Sequence, residues 1–142
     1  MDREELLVKC PIFSEMSQED LARLARVSVP RSYTAGQAII REGESAVAMF
    51  IVSSGHVQVV KDAGRDDHIV LATLGPGDFF GEMALFEGFP RSATARAVES
   101  TECLALSRWD FLAELRSHPD MAVHLLAIYT RRLRQAQESV VY

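Results

Sequence analysis

The residues with the densest chemistry lie between Phe80 and Ala97, in the run FGEMALFEGFPRSATARA. Gly81 and Glu82 precede a short apolar turn of Met83, Ala84 and Leu85, and Pro90, Arg91, Ser92 and Ala93 follow it. A phosphate is held by a guanidinium fork, by small residues that let backbone N–H groups approach, and by a helix N-terminus. All three are available here. Gly81 has no side chain to block a ligand, and Glu82 to Leu85 can form one helical turn whose free N–H groups face an anion. Arg91 supplies the charge, and Ser92 adds a hydroxyl and a backbone donor beside it. Glu82, an acceptor only when ionised, suits a neutral diol such as a ribose better than the phosphate itself. One base and one acid thus divide the ligand between them.

The plainer reading of Glu82 and Arg91 is a surface ion pair that ties down a loop and contributes roughly 0–1 kcal/mol. The surrounding FGEMAL and PRSA favour a ligand site over that pair. Neither a Ser/His/Asp arrangement nor paired carboxylates occur in the run, so an enzyme is not expected. His56 and His68 flank an expected hairpin turn and could face each other, but two histidines leave zinc short of ligands, so no metal site is expected. A formal net charge of −5 argues against a chain built to cover nucleic acid. Arg131, Arg132 and Arg134 read as a solvated helix face.

The elements that must position these residues change period along the chain. Residues 4–9 and 17–27 read as helices, the second opened by Ser17 with Asp20 three residues on. From about Ser28 to Leu106 the period is two, in short runs divided by glycine, as in AMFIVSSG, HVQVVKDAG and HIVLATLGPGDFF. Val57 and Val59 share one face, as do Ile69, Leu71 and Thr73, so one side of that hairpin can line an interior. Helical signals return with Phe111, Leu112 and Leu115, and Pro119 opens a last helix with Met121, Leu125, Ile128 and Leu133. Trp109 reads as a packing residue at the start of its helix, and His118 as the cap before Pro119.

The expected fold class is therefore α+β: an antiparallel β-sandwich or jelly-roll barrel of about eight strands, flanked by N-terminal helices and two C-terminal helices. The length of 142 residues suits one domain. It divides into a helical segment 1–27, a β-barrel 28–107 that contains the run 80–97, and C-terminal helices 108–142. Cys10 and Cys103 have neither CxxC nor Cys/His spacing and read as buried or free thiols of a reducing compartment. The N-terminus lacks the apolar core of a secretory signal, and no stretch approaches the ~18 apolar residues of a membrane span. A soluble cytoplasmic protein is the expectation.

The chain resembles the cyclic nucleotide-binding domain family over nearly its whole length. The family's phosphate-binding cassette is similar to Phe80-Gly81-Glu82-Met83-Ala84-Leu85 and Pro90-Arg91-Ser92-Ala93, and Gly43, Gly55 and Gly75-Pro76-Gly77-Asp78 match its glycine order upstream. The resemblance implies that Glu82 binds the ribose 2′-hydroxyl and Arg91 the exocyclic phosphate oxygens. The N–H groups of Ala84 and Ser92 would complete the cradle, with Gly81 approaching the sugar. Val59, Leu71 and Met83 match apolar positions of the pocket. Serine rather than threonine after the arginine implies cAMP ahead of cGMP. The last helix resembles the family's lid, which places Arg132 near Glu82 or the ligand and Ala136 and Gln137 at the base.

The resemblance implies a regulatory sensor with no cofactor beyond its nucleotide ligand, in which binding moves the C-terminal helix. The alternative is a family member that has lost the nucleotide and serves as a platform for interaction or dimerisation. No DNA-binding helix-turn-helix follows residue 142, so direct nucleic-acid binding and membrane association are not expected. The partner is expected to be a second copy, joined through the apolar stripe of the last helix, or an unidentified effector.

Overall fold

Strand Ala48–Ser54 sends alternate side chains to two different apolar environments, and this decides the architecture. In the computed structural model, which describes residues 2–138, Met49 and Ile51 join one core cluster while Phe50 and Val52 join another. Both faces of the strand are covered, which explains why its sequence is a continuous apolar run rather than an alternating one.

Among the described residues there are five α-helices and eight strands in two antiparallel sheets. The helices are α1 Arg3–Leu7, α2 Pro11–Ser14, α3 Gln18–Val27, α4 Arg108–Ser117 and α5 Pro119–Glu138. The strands are β1 Val29–Tyr33, β2 Ala38–Ile40, β3 Ala48–Ser54, β4 Val57–Lys61, β5 Ile69–Leu74, β6 Phe79–Phe80, β7 Thr94–Ala97 and β8 Thr101–Ser107. One sheet has the order β1-β8-β3-β6 and the other β2-β7-β4-β5. The sheets form a sandwich, with helices before and after the strands as expected. No strand pairing among the described residues closes it into a barrel.

The first sheet is packed on both sides. Leu104 and Leu106 of β8, with Met49 and Ile51 of β3, meet Leu7, Phe13, Leu24, Phe111, Met121 and Ile128 from the helices. Its other face meets the second sheet through Phe50, Val52, Val57, Phe80, Ala95 and Cys103. Phe50 and Phe80 stack with ring centroids 5.2 Å apart.

Several local expectations need correction. The first helix is shorter than 4–9, and a separate single turn, α2, begins at Pro11, whose missing N–H and fixed φ suit a first helical position. Ser17 caps α3 by accepting from the Asp20 N–H at 3.1 Å, but the Asp20 carboxylate pairs with Arg23 at 2.6 Å instead of reaching back. The run HIVLATLGPGDFF is split: β5 lies in one sheet and β6 in the other, with the Gly75–Asp78 turn carrying the chain across. That turn is anchored by the Val52 N–H, which donates to the Asp78 carbonyl at 2.8 Å. Trp109 is 64% exposed rather than packed, with the Arg108 guanidinium 4.8 Å from its ring centroid. His118 does cap α4, its N–H donating to the Glu114 carbonyl at 2.9 Å.

Candidate functional site

The run 80–97 leaves sheet one at β6, forms the 3-10 turn Glu82–Leu85, and re-enters sheet two at β7. It is held at its far end by long-range backbone bonds. The Arg91 N–H donates to the Glu44 carbonyl at 2.7 Å, the Gly43 N–H donates to the Arg91 carbonyl at 2.8 Å, and the Ala46 N–H donates to the Phe89 carbonyl at 3.2 Å. The β2–β3 connection thus fixes the backbone on either side of Arg91.

Two adjoining cavities open on this run. One, of about 290 Å³, is lined by Gly81, Glu82, Met83, Ala84, Arg91 and Ser92, together with Ala46 and Phe89. The other, of about 170 Å³, is lined by Val59 and Ala93, together with Ile40 and Phe80, and shares Gly81, Arg91 and Ser92 with the first. Both linings combine apolar surface with the polar groups of Arg91 and Ser92, and Glu82 adds a carboxylate at the larger cavity, a mixture suited to a ligand with a charged end and a flat end.

Arg91 lies at the junction. Its guanidinium donates to the Ala48 carbonyl. Burial holds it below the usual arginine range. It makes no ion pair among the described residues, and Glu82 makes none either, so the reading of these two as a surface salt bridge does not hold. A half-buried cation without a carboxylate is arranged to receive an anion.

Gly81 explains how the arginine fits. Its φ is +78°, the left-handed region, and a Cβ there would lie 2.5 Å from the Arg91 Nη1 and 3.2 Å from the Ala48 carbonyl oxygen. Only glycine allows this backbone bend and this close passage together.

The 3-10 turn presents fewer donors than expected. The Ala84 N–H donates to the Gly81 carbonyl at 3.0 Å, closing the turn, so it is already engaged. Among the described residues the N–H groups of Glu82, Met83 and Ser92 have no acceptor. The donors on offer are therefore those of Glu82 and Met83, ahead of Ala84, plus Ser92.

Leu71 and the lid residues fall elsewhere. Leu71, on edge strand β5, is 56% exposed and lines neither cavity. Val59 stands opposite Ala72, and the register shift between Val59 and Val60 leaves Leu71 without a partner on β4, so strict alternation does not place it beside Val59. Arg132, Ala136 and Gln137 are exposed on the last turns of α5 and line neither cavity. Arg132 and Glu82 nonetheless both act on Tyr129, whose hydroxyl is pushed up to about 12 by burial first, then by the charge of Glu82, with Arg132 opposing. Glu82 and Arg132 thus act on the same hydroxyl of α5 with opposite sign, without a direct ion pair between them.

Some residues of the site escape a reading of the run alone. Ile40, Ala46 and Val59 arrive from strands or their connections outside the run, whereas Phe80 and Phe89 sit inside it. The apolar β2 and β3 runs mark Ile40 and Ala46 as part of an interior without saying which part. His56 and His68 lie at opposite ends of the β4–β5 hairpin. His56 pairs with Glu99 at 2.6 Å, and no metal-binding group of three or more ligands occurs among the described residues.

Comparison with known proteins agrees with this geometry. Residues 30–118 match the family described as the cyclic nucleotide-binding domain. The cyclic AMP receptor protein of Thermus thermophilus is 40% identical over 126 residues, 89% of this chain and 58% of its own length. A cyclic nucleotide-gated potassium channel of Rhizobium etli is 38% identical over 118 residues, 83% of this chain and 32% of its own length. The crystal structure of the N-terminal domain of a Streptomyces coelicolor A3(2) transcriptional regulator superposes with a TM-score of 0.85 at 29% identity, covering 96% of both chains. The chain spans about three fifths of the length of the receptor protein it matches. The match over residues 30–118 and these relatives show that the chain belongs to the cyclic nucleotide-binding domain family.

Proposed function

We propose that the chain binds cAMP in preference to cGMP and converts occupancy into a shift of α5. The observation that carries this reading is Arg91: a desolvated guanidinium without a carboxylate partner, set beside Gly81 and the unengaged N–H groups of Glu82, Met83 and Ser92. In this reading Arg91 and these N–H groups take the cyclic phosphate, Glu82 the ribose hydroxyl, and Val59, Ala93 and the neighbouring apolar surface the base. Leu71 would reach the base only if β5 or α5 closes over it. Ser92, in place of threonine, favours adenine, as does the 40% identity to a protein named for cyclic AMP.

Coupling to α5 has a physical route. Phe86, just after the 3-10 turn, meets Phe111 of α4 and Tyr129 of α5 edge-on, with ring centroids 5.3 Å away in each case. A ligand that draws the turn inward must move these rings, and it shifts α5 only through its preference for the closed arrangement. Arg132, Ala136 and Gln137 would reach the ligand in that arrangement.

Calorimetric titration of the wild type and of Arg91→Ala with cAMP and cGMP tests the reading. The substitution is expected to weaken cAMP binding by about thirty- to several-thousand-fold, as for a charged group left unpaired. Equal affinities would remove Arg91 from the site. Failure of both nucleotides to raise the melting temperature at millimolar concentration would instead favour a platform that has lost its ligand.

One observation favours a homodimer alongside ligand binding. On α5, Val123, Leu126 and Leu133 are exposed, and with Thr130 and Gln137 they follow a three-four spacing along one helix stripe. That spacing is the seam of a two-helix coiled coil. A second copy of the chain is the partner it suits.

A further inference from the structure

The two peptide groups that follow Arg91 are both held by their carbonyls. The Arg91 carbonyl accepts from the Gly43 N–H at 2.8 Å, and the Ser92 carbonyl accepts from the Lys61 ammonium at 2.8 Å. In a trans peptide the C=O and the N–H of one unit point in opposite directions. The Ser92 N–H therefore points away from Gly43 and the Ala93 N–H away from the Lys61 ammonium, and both residues line the smaller cavity. Gly43 achieves this with its backbone, which any residue in that loop conformation offers. Lys61 achieves it with a side chain, which a substitution can remove.

Lys61 is itself aligned. The Glu42 carboxylate lies 3.4 Å from its ammonium and also accepts from the Asp62 N–H at 2.9 Å, while the Glu42 N–H donates to the Thr94 hydroxyl at 3.0 Å. Glu42 thus joins the β2–β3 connection, the end of β4 and the start of β7 at one point. The Asp62 N–H, and then Lys61, hold its carboxyl below the usual range. A freely swinging surface lysine would lack such a second contact.

We propose that Lys61 is a positioning residue for the anion end of the site: aligned by Glu42, its ammonium fixes the Ser92–Ala93 peptide so that two consecutive N–H groups form a concave donor pair. Successive N–H groups of this kind bind anions through their partial charges. Lys61 does not touch the ligand; it acts through the backbone it holds. The inference rests on the reading of this cavity as a cyclic nucleotide site.

The test uses the full chain as wild type, Lys61→Met and Lys61→Arg. The amide resonances of Ser92 and Ala93 are recorded first without ligand, and cAMP affinity is then measured by calorimetry. Lys61→Met is expected to move both resonances and to weaken cAMP binding about 5- to 20-fold, as for the loss of a charge-assisted bond that orients a contact group. Lys61→Arg, which keeps charge and donors, is expected to restore the resonances and to bind within about threefold of the wild type. Unmoved resonances in Lys61→Met, equal cAMP affinity in wild type and Lys61→Met, or an equal loss in both variants would overturn the proposal. Failure of the wild type to bind either cAMP or cGMP would overturn the nucleotide reading instead, and the ligand-free resonances would still decide whether Lys61 orients the peptide.

Discussion

Arg91 and Gly81 form one device, because the guanidinium occupies the space that any side chain at 81 would need. Gly81→Ala is expected to cost about 1–2 kcal/mol for the left-handed backbone and to push Arg91 off its seat. A lower urea midpoint together with at least tenfold weaker cAMP binding would show both effects; a change in the midpoint alone would separate the two residues. Glu82 should act on the sugar, so Glu82→Gln is expected to shrink the preference for cAMP over 2′-deoxy-cAMP, measured by competition, while leaving the phosphate contacts in place. Gly81, Glu82, Arg91 and Ser92 were legible in the sequence because one short run carries them all. The passage of Arg91 over Gly81 was not, because it depends on how β3 presents the Ala48 carbonyl to both. Leu71 shows the limit from the other side: alternation assumes an unbroken register, the shift opposite Leu71 breaks it, and an exposed edge strand leaves open whether anything covers the residue.

Among the elements, the period change at Ser28 and its reversal after Leu106 located β1 and the end of β8 to within about a residue: β8 carries a buried apolar run, whereas the exposed β1 was marked by the end of the helical period of α3. Short elements were the losses. The four residues of α2 and the two of β6 span about one period each, too little for a pattern to repeat, and β6 joins β3 through a register that no local pattern contains. Element-scale behaviour can be tested at α5. Leu126→Glu with Leu133→Glu would place charges in the exposed seam and is expected to shift the chain to a monomer in sedimentation velocity, while the buried Met121, Leu125 and Ile128 on the opposite stripe keep the helix docked. A sedimentation coefficient unchanged by the double substitution would put the dimer, if one forms, on another surface.

For the molecule as a whole, burial is concentrated on one side. Cys10 and Cys103 are free thiols among the described residues, and desolvation pushes each up to about 12 from an ordinary 9.0. Tyr129 is pushed up to about 12 as well, chiefly by burial. A raised folded value means that the fold favours the neutral form, so this stability is complete below the unfolded value and is lost as pH rises toward the folded one. The urea midpoint is therefore expected to fall from about pH 9 upward, and to fall less steeply in Cys103→Ala. An identical slope in that variant would show that Cys103 is not among the groups responsible. The uneven covering of the two sheets also sets a rate. β3 and β8 are sealed between two apolar layers, whereas β5 lies along an open edge with Ile69 and Leu71 in contact with solvent. Amides of β3 and β8 should exchange only on the slow timescale of global opening, and those of β5 through frequent local fraying. A ligand that enters past β5 then has an entry rate decoupled from the stability of the core, and its residence time is set by how long the thin side stays shut.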